Sequence, residues 1–184
     1  MKLPLGNLND DELMAHVALG NKDAFAILME RHIDRSLAIA QRIVHNRSDA
    51  EDIVQEAFLK VWTWASHWRS GEAKLSTWLY RVTVNLCLDL KRRPTMETLA
   101  AAGEIPDPAA NAQTLVERQQ TDSAVVAAIA ALPERQQAAF ALCYSGNLTN
   151  IEAAETLAIS VGALEALLVR ARRSLRERLK DKLG

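Results

Sequence analysis

The chain has 184 residues, 49% of them hydrophobic and 24% charged, with 22 basic against 23 acidic side chains and a formal net charge of −1. This is the make-up of a folded globular protein, and no apolar run approaches the ~20 residues needed to cross a bilayer. Cys87 and Cys143 lie far apart, form no CxxC or Cys/His cluster and read as reduced small hydrophobes, the four histidines have no metal spacing, and the absence of a nucleophile elbow, phosphate loop or HExxH leaves an enzyme reading without a foothold.

Seven Gly, five Pro and few strand-like runs predict an all-α chain. The N-terminus, Met1-Lys2-Leu3-Pro4-Leu5, has no apolar core of signal-peptide length, so a cytoplasmic location is expected. Asn9-Asp10-Asp11-Glu12 supplies cap residues and early negative charge for a first short helix, closed by Gly20-Asn21. Asp23 opens a second helix through Ala24, Phe25, Ile27 and Leu28.

After a break at Asn46-Arg47, Ser48-x-x-Glu51 predicts a capping box and a helix over 49–65. A period of 3.6 places Ile53, Val54, Ala57, Phe58, Val61 and Trp62 on one side, with Asp52, Gln55, Glu56, Leu59 and Thr63 opposite. Leu59 sits among carboxylates and an amide. That arrangement predicts a docking patch, with an apolar anchor inside an acidic rim that steers a basic partner. The competing reading is a solvated face with one stray leucine.

The next helix, from Ser76, turns Leu75, Trp78, Leu79, Val82, Leu86 and Leu90 inward. Arg81, Asn85, Leu88 and Arg92 form the opposite stripe. Arginine neutralises phosphate and asparagine can bond a base edge, so this stripe is a nucleic-acid candidate. Lys91-Arg92-Arg93 adds positive charge, which the helix dipole would also favour there. Trp62, Trp64, Trp68 and Trp78 read mainly as core aromatics, with an exposed ring able to stack on an unpaired base.

Residues 94–124 change character. Pro94, Gly103, Pro106 and Pro108 punctuate an alanine-rich stretch in which Glu97, Glu104, Asp107, Glu117 and Asp122 face only Arg118. This reads as a flexible acidic linker with a frayed helix toward its end. Periodicity resumes at Val125, Leu132-Pro133 marks a junction, and helices are expected near 134–145, 150–157 and 161–180. From Leu148 to Gly162 the pattern fits a helix-turn-helix with Ser160 as the second cap; a plain helical hairpin is the alternative. The long last helix would bury Leu164, Leu168, Ala171, Leu175 and Leu179 and present Ala166, Val169, Arg170 and Arg173. Arg170–Lys182 carries seven basic residues against Glu177 and Asp181. The expected architecture is two small helical domains, 1–93 and 125–184, joined by 94–124.

Several short motifs lie along this frame. They are Gly20-x-x-Asp23-Ala24-Phe25, Asp49-Ala50-Glu51-Asp52-x-x-Gln55-Glu56-x-Phe58-Leu59 and Thr77-Trp78-Leu79-Tyr80-Arg81-x-x-x-Asn85-x-x-x-Asp89. Leu132-Pro133-Glu134-Arg135-Gln136, Ser160-Val161-Gly162-Ala163-Leu164-Glu165 and Arg170-Ala171-Arg172-Arg173 follow in order. Over nearly the whole chain they resemble an extracytoplasmic-function (ECF) sigma factor of bacterial RNA polymerase, in group IV of the primary-sigma-like family.

The resemblance implies roles for the residues that match it. Asp49, Asp52, Gln55, Glu56 and Leu59 would dock on the clamp coiled coil of the polymerase largest subunit. Trp78, Arg81, Asn85, Leu88, Lys91, Arg92 and Arg93, with the loop that follows, would take the −10 element, where a base is flipped from the melted strand. The linker would thread toward the active-site and RNA-exit channels. Ser160, Glu165, Ala166, Val169, Arg170, Arg172 and Arg173 would lie at the −35 element. Core RNA polymerase, promoter DNA and an anti-sigma factor are the implied partners. No cofactor, metal, small-molecule substrate or catalysis is implied, and no membrane insertion beyond being held at the inner membrane by the anti-sigma factor.

One departure stands out: many relatives carry basic or hydroxyl residues where this chain has Glu165-Ala166-Leu167. A glutamate there can accept from cytosine N4 yet repels phosphate. It favours a rival reading, a sigma-like decoy that sequesters an anti-sigma factor without binding DNA. A stand-alone helix-turn-helix repressor is a second rival, and it has no use for the Asp52–Leu59 patch.

Overall fold

The computed structural model describes residues 4–93 and 124–183, and every regular element among them is helical. A 3-10 turn at Leu5–Asn7 leads into α1 (Asp10–Ala18), α2 (Lys22–Val44), α3 (Arg47–Trp64) and, after a second 3-10 turn at Ala65–His67, α4 (Leu75–Arg92). A helix over 124–130, α5, begins the second group. It continues with α6 (Glu134–Phe140), which runs into a π-helical turn at Ala141–Ser145, then α7 (Asn150–Leu157) and α8 (Val161–Leu183). The all-α expectation holds. The linker expected at 94–124 lies outside the described residues except for Ala124.

Local chemistry sets the helix starts. Asn9 and Glu12 form a reciprocal capping box on α1, with Glu12 N donating to Asn9 Oδ1 at 2.9 Å and Asn9 N to Glu12 Oε2 at 2.7 Å. Helix α2 opens at Lys22 under an Asn21 cap, one residue before the expected Asp23. The capping box expected from Ser48 and Glu51 does not form. Asn46, already extended at φ −130, accepts from Asp49 N at 3.1 Å, so α3 starts two residues before 49. Glu51 is left to take Arg47 Nε at 2.8 Å along the helix.

The two groups share one apolar core. Leu13, Met14, Leu28, Ile39, Ile43, Val61, Leu79 and Val84 from the first are continuous with Leu142, Leu148 and Leu164 from the second. Gly146 makes part of this closeness possible. A Cβ there would lie 2.9 Å from Ile39 Cδ1 and 2.7 Å from the Leu142 carbonyl oxygen, closer than real side chains approach. A smaller cluster of Ile129, Leu132 and Ala171 ties α5 to α8.

Helix α4 is buried more broadly than its predicted stripe. Leu75 and Leu79 are buried as expected, but Thr77, Tyr80, Thr83, Val84 and Cys87 join them, while Trp78, Val82, Leu86 and Leu90 are only half-buried. The reason is that α4 packs against α2 and α3 and also against α7. Thr83 fits an apolar interior because its hydroxyl donates back to the Leu79 carbonyl at 2.9 Å.

Candidate docking and nucleic-acid faces

The outer face of α3 forms as patterned. Ile53, Val54, Ala57, Phe58 and Val61 are buried, while Asp52, Gln55 and Glu56 are exposed and Leu59 is 59% exposed. Asp49 is half-buried at the helix start, where Asn46 caps it. Glu56 pairs with Lys60 at 3.1 Å, an exposed i,i+4 pair of small energetic weight. The face is therefore an apolar side chain set among acids and an amide. Trp64, expected in the core, is instead 51% exposed and stacked on His67 with ring centroids 4.8 Å apart. It falls at the last residue of α3, past the side that packs inward.

On α4, Arg81, Asn85, Lys91, Arg92 and Arg93 are exposed, and Leu88 is half-buried against the core. Trp78 is half-buried edge-to-face with Trp68 at 6.3 Å. Three of the cations are already engaged by the second helical group. Arg81 Nε donates to the Thr156 carbonyl at 3.0 Å and its Nη2 to the Glu155 carbonyl. Arg92 Nη2 meets Glu134 Oε2 at 2.9 Å. Lys91 Nζ donates to Gln137 Oε1.

Gln137 is fully buried, and with its oxygen on Lys91 its amide nitrogen faces His45 Nε2 at 2.8 Å. That ring nitrogen must then accept, which places the histidine proton on Nδ1. Burial, reinforced by the charges of Lys91 and Arg42, lowers the His45 pKa to about 4 and keeps the ring neutral. Burial likewise lowers the Lys91 pKa, with Glu134 opposing. Arg42 Nε adds a further link to Ser145 Oγ at 3.1 Å.

Asp10 and Asp11 do more than begin α1. Asp11 accepts from Trp68 Nε1 at 2.8 Å, Ser70 Oγ at 2.8 Å and Gly71 N at 3.2 Å, fixing the segment that leads into α4. The Ser70 bond first, then that of Trp68, holds its pKa below the ordinary carboxylate value. Asp10 bonds Arg31 at 2.9 Å and His32 Nε2 at 2.7 Å, and His32 Nδ1 lies 3.2 Å from the Tyr80 hydroxyl. The sequence signal was the acidic doublet after Asn9, read there as helix-start charge alone.

The helix-turn-helix forms. Thr149 and Glu152 make a capping box on α7, Ala158 turns the chain at φ 52, and Ser160 Oγ accepts from Ala163 N at 3.2 Å to open α8. Leu164, Leu168 and Ala171 are buried, with Leu175 and Leu179 half-buried. Glu165, Val169, Arg170, Arg172 and Arg173 are exposed and Ala166 is half-buried. Glu165 Oε1 lies 3.5 Å from Asn150 Nδ2, and Arg173 pairs with Glu177 at 2.9 Å. The exposed stripe is thus a mixture of one acid, an apolar Val169 and three arginines.

An acid-rimmed leucine, a basic helix stripe and a helix-turn-helix occur here in the order that two family models describe. The chain matches Sigma-70 region 2 over residues 28–95 and Sigma-70, region 4 over residues 122–175, which makes it a sigma-70-type transcription factor. The ECF RNA polymerase sigma factor SigW of Bacillus subtilis (strain 168) is 30% identical over 182 residues, spanning 90% of this chain and 94% of SigW. The chain belongs to the ECF RNA polymerase sigma factor family. Among solved structures it is similar to CnrH in complex with the cytosolic domain of CnrY, at 25% identity and a TM-score of 0.70 over 94% of this chain and 97% of that one. The sigma factor RpoE in complex with the anti-sigma factor NepR from Bartonella quintana shares the fold, at 20% identity and a TM-score of 0.65 over 87% and 98% of the two chains.

Proposed function

We propose that this sigma factor docks on core RNA polymerase through Asp52, Gln55, Glu56 and Leu59, with Asp49 at the edge of that face. Residues 1–93 then carry docking and −10 contacts, 125–184 carry −35 contacts, and 94–124 tether them, so that the second DNA contact becomes effectively intramolecular. Arg81, Asn85, Lys91, Arg92 and Arg93 face −10 DNA, with Trp78 and Leu88 supporting that helix. Ser160, as the cap of α8, sets Glu165, Ala166, Val169, Arg170, Arg172 and Arg173 toward the −35 groove. The chain performs no chemistry of its own and works in the cytoplasm. No helix among the described residues is long and apolar enough to cross a membrane. An anti-sigma factor restrains it; the complexes of its structural neighbours with NepR and with the cytosolic domain of CnrY support that partner class.

The observation that carries this reading is Leu59, 59% exposed on a helix whose other large aliphatic side chains are buried. An apolar anchor ringed by acids fits a basic protein surface better than solvent. The test pairs Leu59→Ala with Asp52→Ala and measures affinity for core polymerase alongside helicity. A weaker complex at unchanged helicity is expected, and unchanged affinity would sink the docking assignment. Transcription from a randomised promoter library checks the rest. Start sites that depend on the chain and share two upstream elements are expected, whereas polymerase binding without new starts would favour the decoy.

A further inference from the structure

Glu51, Glu56 and Glu177 each pair with a cation one helical turn away. Glu165 on α8 does not. Its neighbours four residues to either side are Val161 and Val169, 37% and 60% exposed. No cation among the described residues lies in salt-bridge range of it. Its contact is Asn150 of α7, whose Nδ2 lies 3.5 Å from Oε1. The Asn150 oxygen faces the Cys143 thiol at 3.9 Å, which leaves the amide nitrogen turned to the carboxylate. The acid thus stands exposed between two valines, steadied by an amide from the neighbouring helix.

In a helix-turn-helix the N-terminal residues of the second helix meet the base edges. Over 161–169 Glu165 is the one side chain able to hydrogen-bond. Ser160, just before, has its oxygen on Ala163 N, and the first donor beyond is Arg170. That span therefore holds no arginine or lysine for guanine O6 and N7, and no asparagine or glutamine for adenine N6 and N7. A carboxylate only accepts. It fits the cytosine N4 amino group, which has a C–H beside it, better than the adenine N6 amino group, which has the N7 acceptor beside it. The valine methyls suit the C5-methyl group of thymine. Four residues of helix rise about 6 Å, under two base pairs at about 3.4 Å each.

We propose that Glu165 and Val169 set the −35 specificity of this chain: Glu165 takes one cytosine through N4, with Asn150 as its positioning residue, and Val169 takes the methyl group of a thymine, on either strand, within two base pairs. The proposal rests on the −35 reading of α8 given above.

The test forms holoenzyme from core polymerase and the full chain, selects bound duplexes from a pool randomised upstream of the start site, and sequences them. Wild type is compared with Glu165→Gln, which keeps side-chain shape but pairs with adenine N6 and N7. The wild-type upstream element should contain one cytosine favoured at least about fivefold, and Glu165→Gln should replace it with adenine while the downstream element stays the same. Asn150→Ala should keep the cytosine but lower its preference, an effect that a general loss of affinity does not produce. Uracil in place of the neighbouring thymine should weaken wild-type binding about fourfold and leave Val169→Ala indifferent. An upstream element without cytosine, or one that Glu165→Gln leaves unchanged, refutes the role of Glu165. An unaltered cytosine preference in Asn150→Ala refutes the positioning. Wild-type binding indifferent to uracil refutes the role of Val169 and needs no variant to fold. A downstream element with no upstream element in any of the proteins overturns the −35 reading and this inference with it.

Discussion

Arg81 donates its Nε–H to the carbonyl oxygen of Thr156, 3.0 Å away in the last turn of α7. A member of the basic stripe proposed for the −10 element is therefore bonded to the helix-turn-helix 75 residues further along. Two consequences follow for mutagenesis. Removing Arg81 breaks its bonds to α7 and, under the proposed −10 role, a DNA contact as well, so its effect has no single meaning. Asn85, one turn further on and exposed, separates the two.

Asn85→Ala should lower initiation at promoters with one particular base in the −10 element and leave the packing of the two groups intact. A paired amide contact to a base is worth about 1–3 kcal/mol of discrimination. Competition among promoters differing at single −10 positions measures it, with scattering on the free variant as the packing control. An unchanged promoter preference would remove the role.

On α8, Arg170 is exposed beside Val169, while Glu165 faces Asn150 near the helix start. Arg170→Ala should cost about 1–3 kcal/mol at one −35 base if the guanidinium reads guanine. A uniform loss over all −35 sequences, with a shallower salt dependence, would make Arg170 a phosphate contact. Glu165→Ala should strengthen binding to all sites except those whose cytosine N4 the carboxylate accepts.

The helix-turn-helix and the outer face of α3 were legible because both depend on local rules: a 3.6-residue period and short polar caps. The start of α3 was not, because Asn46 and Ser48 are both competent caps and their order of use depends on the backbone after His45, which sits at φ 57. Burial of Thr83 and Tyr80 escaped the pattern because each is polar by type and satisfied locally or across helices. The seam was least legible. Arg81 binds main-chain oxygens that any residues could supply, and Gln137 looks like one more polar residue after Pro133-Glu134-Arg135-Gln136.

Ala158 occupies the left-handed region at φ 52 where α7 ends, a conformation costing a residue with a Cβ roughly 1–2 kcal/mol. Ala158→Gly relieves that strain but adds freedom to the unfolded chain, about 0.4–1 kcal/mol in the other direction. A net gain between zero and about 1.6 kcal/mol is expected, seen as a higher midpoint in urea at an unchanged slope. A lower midpoint would mean that the Ala158 methyl contributes more than the turn strain costs.

Acid should weaken the protein in two separate windows. His45 titrates near 6.5 when unfolded and at about 4 in the fold, chiefly through burial. Between those values the unfolded chain binds the proton and the folded chain does not, so stability falls as pH drops from about 6.5 toward about 4. Asp11, held below its ordinary 3.8 by Ser70 and then Trp68, and Asp10, lowered first by His32, contribute in their ionised forms. Their contribution is complete above the unfolded value and is lost as pH falls below it toward the folded one. His45→Asn suits the left-handed backbone and cannot titrate, so it should flatten the upper limb and keep the lower. Asp11→Asn should shrink the lower limb and spare the upper. Urea midpoints measured from pH 8 to 3 on the three proteins decide this, and an unchanged upper limb in His45→Asn would show that another group titrates there.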